Sequence, residues 1–153
     1  MPSKKLIDFL NENENEIKFV LIHHLKAYTA NEVAHSGHIH GHEIAKTVIL
    51  KIEGKLALAV RTASGLVNTR LVKEQLGANS VEVAGEYEFA SVFPECEVGA
   101  EPPFGNLYGM DVYVSELLAH EPEIAFNAGT HTELIRMKYE DYERLVKPEV
   151  LHF

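Results

Sequence analysis

Apolar residues recur along this chain with two periods, and the period changes mark its elements. Leu6, Ile7 and Leu10 fall on one face of a helix predicted over residues 4–13. Residues 18–23 are a short apolar run and read as a strand. Thr29-Ala-Asn-Glu32 has the spacing of a capping box and opens a helix through Val33 and Ala34 that stops near Gly37. Residues 44–52 and 55–62 are apolar strands joined by Glu53-Gly54, a hairpin. Asn68 caps a helix through Leu71, Val72 and Leu76, which Gly77 ends. A brief strand at 80–83 and a helix over 85–93, closed by Pro94, follow. Strands are expected at 110–114, 123–127 and 133–137, a short turn or helix at 115–120 and a final helix at 139–146. Helices and strands mix without strict βαβ alternation. The pattern therefore predicts an α+β fold, with a mixed, largely antiparallel sheet flanked by helices.

The length of 153 residues suits a single domain spanning 1–153 with a proper core. No run approaches the ~18 apolar residues of a membrane span. The N-terminus lacks an apolar signal region, and the lone Cys96 has no partner for an internal disulfide; both fit the cytosol. Glu95 and Glu97 flank Cys96 and would raise its thiol pKa, which argues against a nucleophile. The net charge of −9 argues against non-specific nucleic-acid binding by the whole surface. The charge is uneven, however. Lys46, Lys51, Lys55, Arg61, Arg70 and Lys73 share a span whose sole acid is Glu53. Such a face suits an RNA end, and equally a solvated hairpin.

Chemistry concentrates at three places. The first is Gly99-Ala-Glu-Pro-Pro-Phe-Gly105. Pro102 and Pro103 fix φ and donate no hydrogen bond, while Gly99 and Gly105 permit turns closed to other residues. Backbone N–H groups of Ala100, Glu101, Phe104 and Gly105 are left to face a ligand or a developing negative charge. The second is Lys46, which by strand alternation shares a face with Ile44, Val48 and Leu50, whereas Lys51 lies opposite. A lysine on an apolar inner face either snorkels at a strand end or meets an anion or a carbonyl. The third is His131 in Asn127-Ala-Gly-Thr-His-Thr132, either a solvated turn or a ligand-binding strand end. His38, His40 and His42 alternate, yet no cysteine or carboxylate completes a metal pattern, and Gly37 and Gly41 make the stretch a loop. No metal or other cofactor is expected.

Tyr28-Thr-Ala-Asn-Glu-Val-Ala34, Ala45-Lys-Thr-Val48, the loop from Gly99 to Gly105 and Phe126-Asn-Ala-Gly-Thr-His131 occur in that order. Together they resemble the YbaK/EbsC family, related to the inserted editing domain of bacterial prolyl-tRNA synthetase. The similarity runs over about residues 17–146. The resemblance implies a free-standing deacylase that hydrolyses the ester joining a wrong amino acid to tRNA. It implies roles for Lys46 with Thr47, for Gly99, Ala100 and Pro103, and for Gly129 and His131. Thr29, Phe104 and Gly105 would line the substrate; Thr29 is equally explained as a helix cap. The expected partner is the 3′ end of an aminoacyl-tRNA, delivered by a synthetase or an elongation factor, with neither DNA nor membrane involved.

Ester hydrolysis needs a placed water and stabilisation of a tetrahedral oxyanion, which the loop amides would supply. No activated side-chain nucleophile is visible, so water attacks directly, with or without help from the ribose hydroxyl. Two other classes compete: a module that holds a tRNA end, a nucleotide or another anion without chemistry, and a metal-dependent hydrolase using His35–His42. The amino acid removed depends on a few contacts worth about 1–3 kcal/mol each; the resemblance puts alanine first, with serine, threonine and cysteine left open.

Overall fold

The central hairpin of the sequence is the centre of the structure. A computed structural model describes residues 1–23 and 41–153. The helix expected at 29–34, with Thr29, lies outside the described residues. Strands β2 (Ala45–Ile52) and β3 (Lys55–Thr62) pair antiparallel without interruption, from Ala45 opposite Thr62 to Ile52 opposite Lys55. Their turn places Glu53 at φ 49° and Gly54 at φ 84°, the positive pair that matches the twist of a tight hairpin. Strand β4 (Val81–Val83) adds antiparallel to β2. Strand β5 (Val112–Ser115) adds parallel to β3, and β8 (Glu149–Leu151) parallel to β5. The order is β4-β2-β3-β5-β8.

A second sheet has the order β1-β7-β6, antiparallel throughout, from β1 (Phe19–His23), β6 (Glu123–Asn127) and β7 (Glu133–Lys138). A parallel bridge between Ile44 and Ala125 joins the two sheets. The fold is thus α+β with a mixed sheet, as expected.

The helices form where capping residues precede apolar stripes. Helix α1 (Lys4–Glu12) starts at Ser3, whose Oγ accepts the Leu6 N–H, and buries Leu6 and Leu10. Asn68 accepts the Leu71 N–H at 3.2 Å and opens α2 (Thr69–Leu76), which Gly77 ends. The helix expected over 85–93 is shorter. It is α3 (Glu86–Phe89) followed by one tight turn over Ala90–Val92. Phe93 precedes Pro94, which disfavours helical backbone, and it sits at φ −119°, ψ 60°. Helices α4 (Glu116–Ala119) and α5 (Tyr139–Val146) match their expected places. Strand β8 was not foreseen. It has three residues, two of them exposed, so it carries no readable alternation.

Both faces of the hairpin are covered. Ala45, Ile49, Leu58 and Val60 face the main core, with Leu6, Phe104, Phe126 and Tyr142. Leu50 and Ala59 face a second cluster with Val72 of α2 and Phe153. The main core also fixes the loop that precedes β5. Phe104 is fully buried, with its ring 5.3 Å from Phe126, 5.4 Å from Tyr142 and 6.1 Å from Phe9. The Tyr142 hydroxyl, also fully buried, donates to the Pro103 carbonyl at 2.7 Å. Burial pushes this phenol's pKa well up, so it is a neutral donor.

Tyr142→Phe leaves the Pro103 carbonyl unpaired in an apolar site. The expected loss of stability is about 1–3 kcal/mol, read as a lower urea midpoint with unchanged slope.

Candidate functional site

The loop from Gly99 to Gly105 is more closely packed than its composition suggests. Gly99 is exposed, whereas Ala100, Glu101, Pro102, Pro103, Phe104 and Gly105 are all buried. Phe104, Pro103 and Gly105 therefore hold the loop from behind and do not line a substrate. The space for a side chain at Gly105 is filled by the Met110 carbonyl, 2.5 Å from where a Cβ would stand. Two of the amides expected to be free are engaged. Ala100 N–H donates to the Glu97 carbonyl at 3.0 Å, and Phe104 N–H to the Pro102 carbonyl at 2.8 Å. The reason is that tight turns satisfy their own buried donors first.

Gly99 stands at φ 88°, which only glycine takes readily, and its N–H reaches Glu101 Oε1 at 3.3 Å. Glu101 is 5% exposed, and its Oε2 has no hydrogen-bond partner among the described residues. Burial raises its pKa above the usual carboxylate range. The amides of Glu101, Gly99 and Ala100 and the His131 ring pull it back only in part. From the sequence, Glu101 enters only as one of the loop's backbone donors. The signal passed over was a single charge inside Ala-x-Pro-Pro-Phe.

The end of β6 meets this loop. Gly129 N–H donates to the Ala100 carbonyl at 3.0 Å, and Glu97 N–H to the Gly129 carbonyl at 2.8 Å. Gly129 has φ 97° and lies against Ser3, so its part is played by the backbone. His131 is anchored twice. Its N–H donates to Glu97 Oε1 at 2.9 Å, and its Nε2 lies 2.8 Å from the Val98 carbonyl. The ring stands over Gly99, where a Cβ would come 3.4 Å from Cε1. Gly99, Ala100, Gly129 and His131 thus form one constellation.

Lys46 approaches from the adjoining strand. Ile44 forms a parallel bridge to Ala125 of β6, and Lys46 lies two residues further along the chain from that bridge, in β2. Lys46 is exposed at the open end of β2 and has no ion-pair partner among the described residues. Its face carries Leu50 and Val48, as expected, but that face meets the second cluster and not the main core. Thr47, on the core-facing side, is half-buried. Lys51 lies on the face opposite Lys46, as expected, and that face is the main-core side. It escapes at the strand's far end to Glu88 at 2.7 Å and Glu82 at 3.3 Å. Asn127 was not singled out from sequence, yet its Oδ1 is buried without a partner among the described residues. Such a buried acceptor is a place for a ligand donor.

Cys96 is half-buried, and burial pushes its thiol up to about 11, against the role of nucleophile. His38 and His40 lie outside the described residues. Among the described residues no cluster of side chains could hold a metal. Two open hollows, of 430 and 720 Å³, lie elsewhere, beside Tyr139 and beside Tyr113, and touch none of these groups. The site is defined by converging chemistry and not by cavity size. No helix among the described residues is long and apolar enough to cross a membrane.

Residues 24–145 match the model of the aminoacyl-tRNA editing domain. By class the chain is an aminoacyl-tRNA deacylase, acting on aminoacyl-tRNA. It belongs to the aminoacyl-tRNA editing domain family, the YbaK family of the sequence resemblance. It is 28% identical over 114 residues to the multifunctional Ser/Thr-tRNA deacylase ProXp-y of Escherichia coli K12, covering 71% of this chain and 68% of that protein. Its fold matches the crystal structure of a proposed trans-editing enzyme for prolyl-tRNA synthetase. The TM-score is 0.81 at 19% identity, over 99% of this chain and 98% of that one. A hypothetical protein of known structure matches with a TM-score of 0.83 at 18% identity, over 97% and 98%.

Glu101→Gln keeps an acceptor for the Gly99 N–H and removes a buried charge. The wild-type carboxyl has a raised pKa when folded, so its ionisation costs stability once the pH exceeds the unfolded value. Glu101→Gln should therefore melt higher than wild type at neutral pH. The gap should close as the pH falls into the ordinary carboxylate range, as measured by thermal unfolding across pH.

Proposed function

We propose that this protein is a free-standing trans-editing enzyme that frees small, wrongly attached amino acids from tRNA, with 1–153 acting as one domain in the cytosol. The observation that carries this reading is the Gly99 turn beneath the His131 ring, tied to the Gly129 backbone just after β6, with Lys46 two residues on from the bridge that joins Ile44 to β6, inside an editing-domain fold. Lys46 is the cation for the terminal nucleotide or the reacting ester. Gly99 N–H is the exposed donor of the loop. Its 3.3 Å bond to Glu101 is long enough to be exchanged for an oxyanion, which carries full charge where the loop is rigid. His131, held by Val98 and Glu97, orients the substrate over Gly99. Water attacks the ester carbonyl carbon. The tetrahedral oxyanion collapses with cleavage of the bond to the ribose oxygen, which leaves with a proton.

Similarity to a Ser/Thr-tRNA deacylase puts serine and threonine first as substrates, with alanine and cysteine as the other arms of the test. An acidic protein with one small basic face suits delivery of the tRNA by a synthetase or an elongation factor.

The test is hydrolysis of seryl-, threonyl-, alanyl- and cysteinyl-tRNA by wild type and Lys46→Ala, with and without chelator. The expected result is chelator-resistant deacylation that falls at least about tenfold in Lys46→Ala, the worth of one charge-assisted contact. Binding of uncharged tRNA without hydrolysis of any substrate would instead make the protein a module that holds the tRNA end.

A further inference from the structure

The basic run from Lys46 to Lys73 does not form one patch. Lys51 is answered by Glu82 and Glu88, and Arg70 by Glu74. Lys55 stands at the turn of the hairpin, at the opposite end from Lys46. What remains near the site is one pair. Lys46 and Arg61 are direct cross-strand partners on β2 and β3. Residues so placed have Cβ atoms about 4.5–5.5 Å apart on the same face, and like charges there repel. Neither has a carboxylate partner among the described residues, in a chain with 23 acids and 14 lysines and arginines. Two opposed cations without an acid, in an acidic protein, are a cost that a bound anion would remove.

Arg61 is also held in place. Its Nε donates to the Thr62 carbonyl at 3.2 Å, and its Nη1 donates to the Leu66 carbonyl. The guanidinium lies against Gly65, in the space that any side chain there would occupy. Carbonyls hold the fork without cancelling its charge, and the remaining N–H groups stay available for a planar, bidentate acceptor. Lys46 opposite is exposed and supplies a mobile point charge.

We propose that Arg61 is a second anchor for the RNA, which together with Lys46 clamps a phosphodiester of the tRNA's terminal nucleotides. This rests on the tRNA-editing reading and adds a binding residue to it. Arg61 stands on the strand next to Lys46 and two strands from β6, so it grips the backbone leading into the site and not the ester. Its loss acts on binding of ground state and transition state alike.

The test measures binding of uncharged tRNA against salt, alongside deacylation kinetics and thermal unfolding, for wild type, Arg61→Ala, Arg61→Lys and Gly65→Ala. Arg61→Ala should weaken binding about tenfold at low salt and reduce the slope of log K against log salt by about one, with KM raised and kcat nearly kept. Arg61→Lys should keep the slope and lose a few-fold in affinity, because the charge stays and the fork goes. Gly65→Ala displaces the guanidinium at unchanged charge and should weaken binding likewise. If Arg61→Ala only lowers the melting temperature, with salt slope and KM at wild-type values, Arg61 merely ties the 62–66 turn and the proposal is overturned. In that outcome wild type still deacylates, so the editing reading survives. A wild type that neither binds nor hydrolyses sinks both.

Discussion

Everything at the site depends on Phe104. Its ring is locked among Phe9, Phe126 and Tyr142, and this pins the Pro-Pro backbone to the core from behind. Once that backbone is fixed, the Ala100 carbonyl can meet Gly129 N–H, and the turn at Gly99 is presented outward beneath the His131 ring. A burial of this kind is non-directional in origin, yet here it sets positions to within hydrogen-bond tolerance, because the prolines leave the chain little freedom to relax. The loop is preorganised by a hydrophobic anchor and not by polar contacts at its tip. Chemistry on a loop tip needs such support, since the tip cannot supply it.

The same arrangement explains which expectations held. The hairpin, α1, α2, β6, β7 and α5 were legible because each has a clean period and a chemical boundary, such as Asn68 before α2 and Gly77 after it. β8 was not, because two of its three residues face solvent and its partner β5 is distant in sequence. At the site, residue type and order put forward Lys46, Gly99, Gly129 and His131, and the structure brings Gly99, Gly129 and His131 together. What could not be read was the direction of each group. Phe104 looked like a ligand contact and is core. Ala100 N–H looked free and is taken by Glu97. Lys46 shares a face with Leu50, but the sequence does not say that both faces of the hairpin are covered, or which one meets the main core. Glu101 was read only for its backbone and Arg61 only as one of six basic residues, because their meaning lies in neighbours: one carboxyl buried among amides, the other side chain placed across a strand from Lys46.

Charge is used sparingly on this acidic protein. The surface acids near β2 pair with Lys51, which serves the sheet, and Lys46 and Arg61 at the opposite end have no carboxylate partner among the described residues. The net charge of −9 opposes a polyanion, and the Lys46–Arg61 pair is a place where that opposition is locally offset. Such a field orients a weak encounter without holding the wrong part of the RNA.

The pairing of β1 with β7 has a consequence for how the molecule comes into being. Phe19 lies opposite Met137, and Ser3 N–H bonds the Ala128 carbonyl at 2.7 Å, so α1 and β1 wait for partners made much later in the chain. While the chain is being synthesised, α1 has no Phe104 to cover and β1 has an open edge on both sides. Long-range closure of this kind is slow and leaves apolar surface uncovered meanwhile. The Gly99 turn is held through Gly129, and Ala128 beside it bonds Glu133 at the start of β7, so the turn takes its full set of contacts only when β7 has arrived.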